Sequence, residues 1–297
     1  MPSPILDSLA RSNPNLRVKR PGQVEVILER LLAGGKDGLQ VIADFDYTLT
    51  RAHKAGTKVD CSWGVMENSS LLPEDYTSRC GALKAKYLVY ELDPDMTSEE
   101  KTPYMVEWYT KANKLLQDCG VNKDMFSQMV KASNVEFRDD TDTMLDLLNQ
   151  EGVPVLILSA GLGDLLVEIM KHFSVFHDNT KVVSNFLAFD AEGKVTGIEG
   201  EMIHVFNKNE SAIHGSPYFK MLETRKNIIL MGDSLGDLKM ADGVKDPEAV
   251  LKIGFLNDVS DQKLKKYMDL YDIVLVDDQS MDVPNKILGK ILKKEDA

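Results

Sequence analysis

Cysteine is scarce in this chain, and the little there is does not pair up. Cys61, Cys80 and Cys119 are an odd number at wide spacing with no CxxC. Free thiols in a reducing compartment fit that pattern better than a disulfide framework. Long apolar runs are missing too: no stretch approaches the ~18 consecutive apolar residues of a membrane-spanning helix. The opening MPSPILDSLARSN has no basic segment followed by an apolar one, so no secretory signal is expected. The closing LKKEDA carries no lipidation or retention signal. The cytoplasm is the expected location. Positive charge is short as well, with 35 Lys and Arg against 47 Asp and Glu and a net charge of −12. This argues against nucleic acid or an anionic membrane as partner, since both need a basic face. A phosphorylated substrate stays open, because a bound cation can invert the local field.

What is present is an ordinary globular composition, 43% hydrophobic and 28% charged over 297 residues. That length can bury a large core without staples, as one large domain or two modest ones. Val24, Ile27, Leu28, Leu31 and Leu32 recur at three- and four-residue steps, which predicts a helix over 23–32 stopped at Gly34 and Gly35. Three short apolar runs, 39–43, 153–158 and 227–231, are bounded by breakers as buried parallel strands are. Shorter candidates are 181–184, 250–254 and 272–276, with helical patterns over 141–150, 163–173, 235–242 and 260–269. Such alternation predicts an α/β fold, a Rossmann-like doubly wound parallel sheet. One interval breaks it. From about 51 to 138 the chain reads as loop and then helices at 74–91, 98–117 and 123–132. A helical cap over 56–137 is therefore expected, inserted into a core of 1–55 and 138–297.

Open α/β sheets bind ligands at the carboxyl ends of their strands, and the unusual polar clusters lie there. Asp44 and Asp46 leave the first strand two residues apart, so both carboxylates face one space. Such a pair is costly unless a cation binds or one acid is protonated, and both remedies suit phosphate-ester hydrolysis. Asp44 can attack phosphorus, while Asp46 protonates the leaving oxygen and then activates water. Standing alone, a DxD pair reads more readily as a cap and a surface acid. Ser159, with the amides beside Ala160 and Gly161, can hold phosphate oxygens, or can be an ordinary strand-to-helix turn. Asp233 and Asp237 are hard oxygen donors suited to Mg²⁺, or else a cap and a solvent acid. Lys208 is an ordinary loop lysine unless the site needs a cation for the nucleophile and the transferring phosphoryl group.

Taken together, Asp44-Phe-Asp46-Tyr-Thr-Leu-Thr, Ser159, Lys208 and Gly-Asp233-Ser-Leu-Gly-Asp237 resemble the haloacid dehalogenase superfamily of phosphohydrolases. DFDYTLTR, YELDP, PYMVEWYTK, ILSAGLGD, VVSNF, EMIHVFNKNE, MGDSLGDLKMADG and LKIGFLND look more closely like the cytosolic 5′-nucleotidase III family, which includes pyrimidine and 7-methylguanosine phosphate-specific 5′-nucleotidases. The resemblance implies a capped core, Mg²⁺ dependence, hydrolysis of nucleoside 5′-monophosphates and some phosphate transfer to other nucleosides. It makes Asp44 the nucleophile and Asp46 the acid/base, with Ser159, Ala160 and Lys208 on phosphate. It puts Asp44, the Asp46 carbonyl and Asp233 on the metal with Asp237 close by, and Glu91 on the base. The expected partner is the nucleotide alone, for a monomeric chain. Two departures stand out: Ala112 replaces the serine that vertebrate members carry after the WYTK-type motif, and Cys61-Ser62-Trp63-Gly64, read as a loop, differs from theirs.

Base chemistry narrows the substrate. Guanine presents N1–H and a 2-amino group that one carboxylate can accept together, and N7-methylation gives a positive ring that stacks well on indole. Glu91 with Trp63 or Trp108 would supply those parts, although either Trp can instead be packing or surface. Cytosine could equally donate its amino group to Glu91. 7-Methyl-GMP and CMP are thus joint candidates, with a lean toward the methylated purine. A phosphatase of the phosphoserine type is the alternative enzyme. A phosphoacceptor signalling domain is the non-enzyme alternative, disfavoured by Asp46 and the helical insert.

Overall fold

The computed structural model describes residues 4–93, 95–208, 222 and 224–293. Asn209 onward in the NKNES segment, Pro94 of YELDP and the last four residues of the tail lie outside them.

The expected α/β architecture is present. The apolar runs form β2 (Leu39–Ala43), β5 (Val155–Leu162) and β9 (Asn227–Gly232), in which every residue is buried. Strands covered on both faces need such unbroken apolar sequence. With β1 (Leu16–Arg17), β6 (Thr180–Asn185), β10 (Ala249–Leu256) and β11 (Ile273–Val276) they make one sheet in the order β1-β11-β10-β9-β2-β5-β6. All pairings are parallel except the edge pair β1–β11. From β2 the chain first builds outward through β5 and β6, then returns to lay β9 on the other side of β2. That reversal opens a crevice at the carboxyl end of β2.

Alternate residues of the strands feed two separate cores. Val41, Ala43, Val155, Ile157, Ile229 and Met231 pack on one face, under α1 (Pro4–Ser12), α2 (Pro21–Gly38), α7 (Thr141–Gln150), α8 (Gly163–His172) and α10 (Asp282–Ile291). Ile42, Leu156, Leu158, Ile228 and Leu230 pack on the other, with Leu264, Tyr267 and Met268 of α9 (Asp261–Leu270) against them. The two-residue period of a strand produces this division.

The interval between β2 and β5 holds a β3–β4 hairpin (His53–Lys54 with Thr57–Lys58) and then α3 (Ser62–Glu67), α4 (Glu74–Glu91), α5 (Ser98–Asp118) and α6 (Phe126–Ala132). A capping box of Thr97 and Glu100 starts α5. Outgoing and returning chain run side by side: Thr50 bridges Phe137, Arg51 N donates to Glu136 O at 2.9 Å, and Arg138 N to Leu49 O at 3.0 Å.

Several local expectations need correction. The first predicted helix does break at the glycine pair, where Gly35 (φ 56°, ψ −162°) takes a conformation open to glycine, but it starts at Pro21 and a further helical stretch follows to Gly38. Residues 61–64 are not a loop, because Cys61 accepts from Gly64 N and caps α3. The segment 235–242 is a short 3₁₀ turn, Leu235–Lys239, since the Asp237 carboxylate bends back onto Ser234. Ser159 lies within β5 rather than after it, at a register shift between Leu158 and Leu162. The β7–β8 hairpin (Leu187–Phe189 with Val195–Ile198) has no counterpart among the predicted strands. Among the described residues no helix is long and apolar enough to cross a membrane.

Candidate active site

Asp44 extends β2, and its amide donates to Met231 O of β9 at 3.0 Å. This anchors the carboxylate at the crevice. Lys208 Nζ lies 2.6 Å from Asp44 Oδ1 and 3.0 Å from Asp237 Oδ1, and the Thr48 hydroxyl donates to Asp44 Oδ2 at 3.2 Å. All three charged groups are buried, Lys208 at 6% exposure and Asp237 at 0%. Asp237 reaches inward because its other oxygen accepts from the Ser234 amide at 2.8 Å and the Ser234 hydroxyl at 2.9 Å. Tyr267 and Tyr271 steady the same turn, donating to the carbonyls of Asp233 and Ser234.

One carboxylate oxygen from each of Asp44, Asp233 and Asp237 lies within 4.8 Å of the others. Burial pushes Asp44 up to about 7, with Lys208 pulling the other way. Asp233 is pushed well above the carboxylate range by burial, then by Asp44 and Asp237. For Lys208, burial opposes the charge, but Asp237 and Asp44 outweigh it and raise the pKa. Three carboxylates around one ammonium leave excess negative charge in a dry site. Hard oxygen donors with that surplus fit a divalent cation such as Mg²⁺.

Asp46 stands apart from this trio. Its Oδ1 accepts from the Ser62 amide at 2.7 Å and its Oδ2 from the Ser62 hydroxyl at 2.6 Å, at the start of α3. Burial raises its pKa against those bonds. Gly161 faces the same spot: a Cβ there would stand 2.1 Å from Ser62 Oγ, 2.9 Å from Asp46 Oδ2 and 3.1 Å from Ser159 Oγ. The Asp46 carboxyl, the Ser62 and Ser159 hydroxyls and the Gly161 backbone thus share one small space. Ser159 Oγ accepts from Gly161 N at 3.0 Å, and Ser184 Oγ donates to Gly161 O at 2.9 Å. Asn185 donates to Ala160 O at 3.0 Å and to Ile203 O at 2.8 Å, and accepts from Ile203 N at 2.8 Å. It ties the Ser159 turn to the segment leading to Lys208.

Glu91 is the last residue of α4; burial raises its pKa, with Lys101 and Lys208 opposing, so the Lys208 ammonium is within its electrostatic reach. The Trp63 indole N–H points to Ala160 O at 3.4 Å, and its ring meets Tyr109 edge-on at 6.0 Å. Trp108 instead stacks on Tyr87 at 6.0 Å with 15° between the planes. The Tyr109 hydroxyl is raised by burial and then by Glu91, with Asp46 adding to it. Asp44, Asp46, Ser159, Ala160, Lys208, Asp233 and Asp237 lie together at the strand ends, with Glu91 and Trp63 nearby and Trp108 one ring removed. Sequence reasoning does not single out Ser62, Tyr109 or Asn185, although WYTK and VVSNF contain the latter two.

The family model described as pyrimidine 5′-nucleotidase (UMPH-1) matches residues 47–292. The 7-methylguanosine phosphate-specific 5′-nucleotidase of Homo sapiens is 44% identical over 275 residues, covering 93% of this chain and 92% of that one. The protein of the same name from Drosophila melanogaster is 40% identical over 292 residues, covering 98% and 91%. The crystal structure of cytosolic 5′-nucleotidase IIIB bound to cytidine matches with a TM-score of 0.90 at 40% identity over 97% of each chain. A phosphoserine phosphatase carrying a phospho-aspartyl intermediate analogue shares the fold alone, with a TM-score of 0.52 at 17% identity over 84% of this chain and 98% of that one. With such a match over most of its length, and with its acids gathered at the strand ends of a haloacid dehalogenase fold, the chain belongs to the pyrimidine 5′-nucleotidase (UMPH-1) family.

Proposed function

We propose that this protein is a Mg²⁺-dependent 5′-nucleotidase that hydrolyses 7-methyl-GMP and pyrimidine nucleoside monophosphates such as CMP through an aspartyl-phosphate on Asp44. The observation that carries the reading is the buried cluster of Asp44, Lys208, Asp233 and Asp237, with Asp46 held separately on Ser62. Burial raises both acids, but their partners differ: Asp44 has the Lys208 ammonium against it, whereas Asp46 has the Ser62 amide and hydroxyl.

Bound to Asp44 and Asp233, with the Asp46 carbonyl and Asp237 close by, Mg²⁺ would neutralise charge on the carboxylates and on the transferring phosphoryl group. Lys208 orients Asp44 and adds positive charge where the transition state gathers negative charge. An Asp44 oxygen attacks phosphorus, the bond to the 5′-oxygen breaks, and Asp46 gives its proton to that oxygen. Burial keeps Asp46 able to hold the proton, and Ser62 aims it. Asp46 then takes a proton from water, the water oxygen bonds to phosphorus, and the Asp44–phosphorus bond breaks to release phosphate. A nucleoside 5′-hydroxyl in place of that water gives phosphotransfer. Ser159, which accepts from Gly161 N, turns its own O–H toward a phosphoryl oxygen, and the backbone at Ala160 completes the cradle.

Residues 56–137 act as the cap that selects the base. Glu91 accepts from its edge, and Trp63, fixed beside the phosphate turn, supports stacking better than Trp108, which Tyr87 already covers. The relatives' names support both a methylated purine and a pyrimidine, and the cytosolic name of the structural relative supports a cytoplasmic location. Phosphate release with Mg²⁺ over CMP, UMP, GMP, 7-methyl-GMP and phosphoserine tests the reading. Turnover of 7-methyl-GMP and CMP is expected; a preference for phosphoserine would overturn it.

A further inference from the structure

Arg138 is a buried cation that the proposed reaction does not use. It is 1% exposed and comes directly after Phe137, where the chain returns from the helical insert. Its guanidinium lies over the Phe255 ring at 4.1 Å. Nε donates to Thr48 O at 2.7 Å, Nη2 to Tyr47 O at 2.5 Å and to Asn257 Oδ1 at 2.7 Å, and Nη1 to Asp278 O. Asn257 in turn donates to Tyr47 O at 2.9 Å.

Those acceptors belong to the turn just past the nucleophile. Tyr47 has φ 61°, the left-handed region that costs a side-chain-bearing residue free energy. Its carbonyl is held from two sides by Arg138 and Asn257. On one flank of Tyr47 stands Asp46, whose carboxylate Ser62 holds; on the other stands Thr48, whose hydroxyl donates to Asp44. The two peptide planes that flank Thr48, the first of them leaving Tyr47, are thus clamped by a rigid planar donor, a task suited to a guanidinium and not to an ammonium.

We propose that Arg138 is a positioning residue for phosphoryl transfer: by fixing the Tyr47–Thr48 carbonyls it aims Asp46 at the leaving oxygen and Thr48 at the nucleophile. This rests on the aspartyl-phosphate reading above. The same residue marks the return from the insert, where its backbone N donates to Leu49 O.

The test compares Arg138→Met, Arg138→Lys and Asn257→Ala with the parent enzyme. Circular dichroism and melting establish folding. Steady-state kinetics give kcat and KM, and single turnovers give the rate of phosphoenzyme formation on CMP and on p-nitrophenyl phosphate, whose phenolate leaves without a proton. Folded Arg138→Met is expected to lose ~10²-fold in kcat on CMP, the size of a 1 Å misplacement, with KM within about threefold of the parent. Phosphoenzyme formation should fall roughly tenfold less on p-nitrophenyl phosphate, because proton donation is what is lost. Arg138→Lys should recover only part. Folded Arg138→Met with parental kcat, or with equal loss on both substrates, overturns the proposal. If neither Arg138 variant folds, Asn257→Ala decides: a smaller loss that is again greater on CMP than on p-nitrophenyl phosphate supports it, and no loss, or an equal loss on both substrates, overturns it. Failure of the reaction reading itself looks different: the parent would form no phosphoenzyme and Asp44→Asn would stay active, which overturns both.

Discussion

Ser62 holds both oxygens of Asp46, the amide on Oδ1 at 2.7 Å and the hydroxyl on Oδ2 at 2.6 Å. A carboxylate gripped at both oxygens has little rotational freedom, so its aim depends on where α3 begins. Ser62→Ala keeps the amide bond and removes the hydroxyl bond. A loss of about tenfold in kcat, the low end of a bond to a charged group, is expected with melting temperature nearly unchanged. An unaltered kcat would show that the amide alone suffices.

Asp44→Asn should abolish turnover without unfolding the chain, because an amide does not attack phosphorus. Asp46→Asn should lose ~10²–10⁴-fold, the usual range for general acid–base catalysis. Phosphate release by freshly purified, undeamidated protein measures both, and near-parental release from Asp44→Asn would remove the covalent mechanism.

Metal dependence can be read without turnover. Beryllium fluoride, a phosphoryl mimic, should bind and raise the melting temperature only when Mg²⁺ is present, and Asp233→Asn should suppress that rise. Tight binding after chelation would contradict the role given to Asp44, Asp233 and Asp237.

Glu91→Ala should raise KM for CMP and 7-methyl-GMP while leaving p-nitrophenyl phosphate nearly unaffected, since only base contacts are lost. Burial raises the pKa of Glu91. Lowering the pH should therefore protonate it above the ordinary glutamate range, and a protonated carboxyl accepts less well from the base. The expected result is a nucleotide KM that rises on acidification with a midpoint above that range, and a flatter profile in Glu91→Gln. Identical profiles in both proteins would detach Glu91 from the base.

Trp63→Phe should weaken 7-methyl-GMP more than GMP or CMP by ~1 kcal/mol, about fivefold in KM, because the cation–π contribution depends on the positive ring. Trp108→Phe should affect all nucleotides alike, since its face is already taken by Tyr87. Equal loss on all substrates from Trp63→Phe would make that residue a packing element and withdraw the preference for the methylated purine.

The acids at the strand ends are legible in the sequence because β2, β5 and β9 announce themselves as unbroken apolar runs, and the residues just past such a run fall in the crevice. Lys208 has no local signal, being a lysine between two asparagines; only the need of the acids for a cation and the resemblance single it out. Ser62 escapes notice because α3 has six residues, too few for any periodicity to show. Tyr109 is overshadowed by the neighbouring indole, though it is Tyr109 that meets Trp63. Arg138 and Asn185 act on backbone carbonyls far away in the chain, at Tyr47 and Ala160, and no spacing rule connects such pairs. The turn at 235–239 is misread because the apolar pattern suits a helix, while Asp237 is recruited by Ser234.

Thr50 and Phe137 lie opposite one another where the chain departs for the helical insert and where it comes back. A segment with its two ends pinned together by the core is a closed loop before any of its own helices form, so the core already bears the entropy of closing it. The insert is joined to the core by more than this pair, because Val65, Met66, Leu116, Phe126 and Met129 belong to one buried apolar cluster with Val41, Val155 and Ile229. In engineering terms, new base preferences are to be sought by substitutions on its surface, with those apolar residues and Ser62 kept.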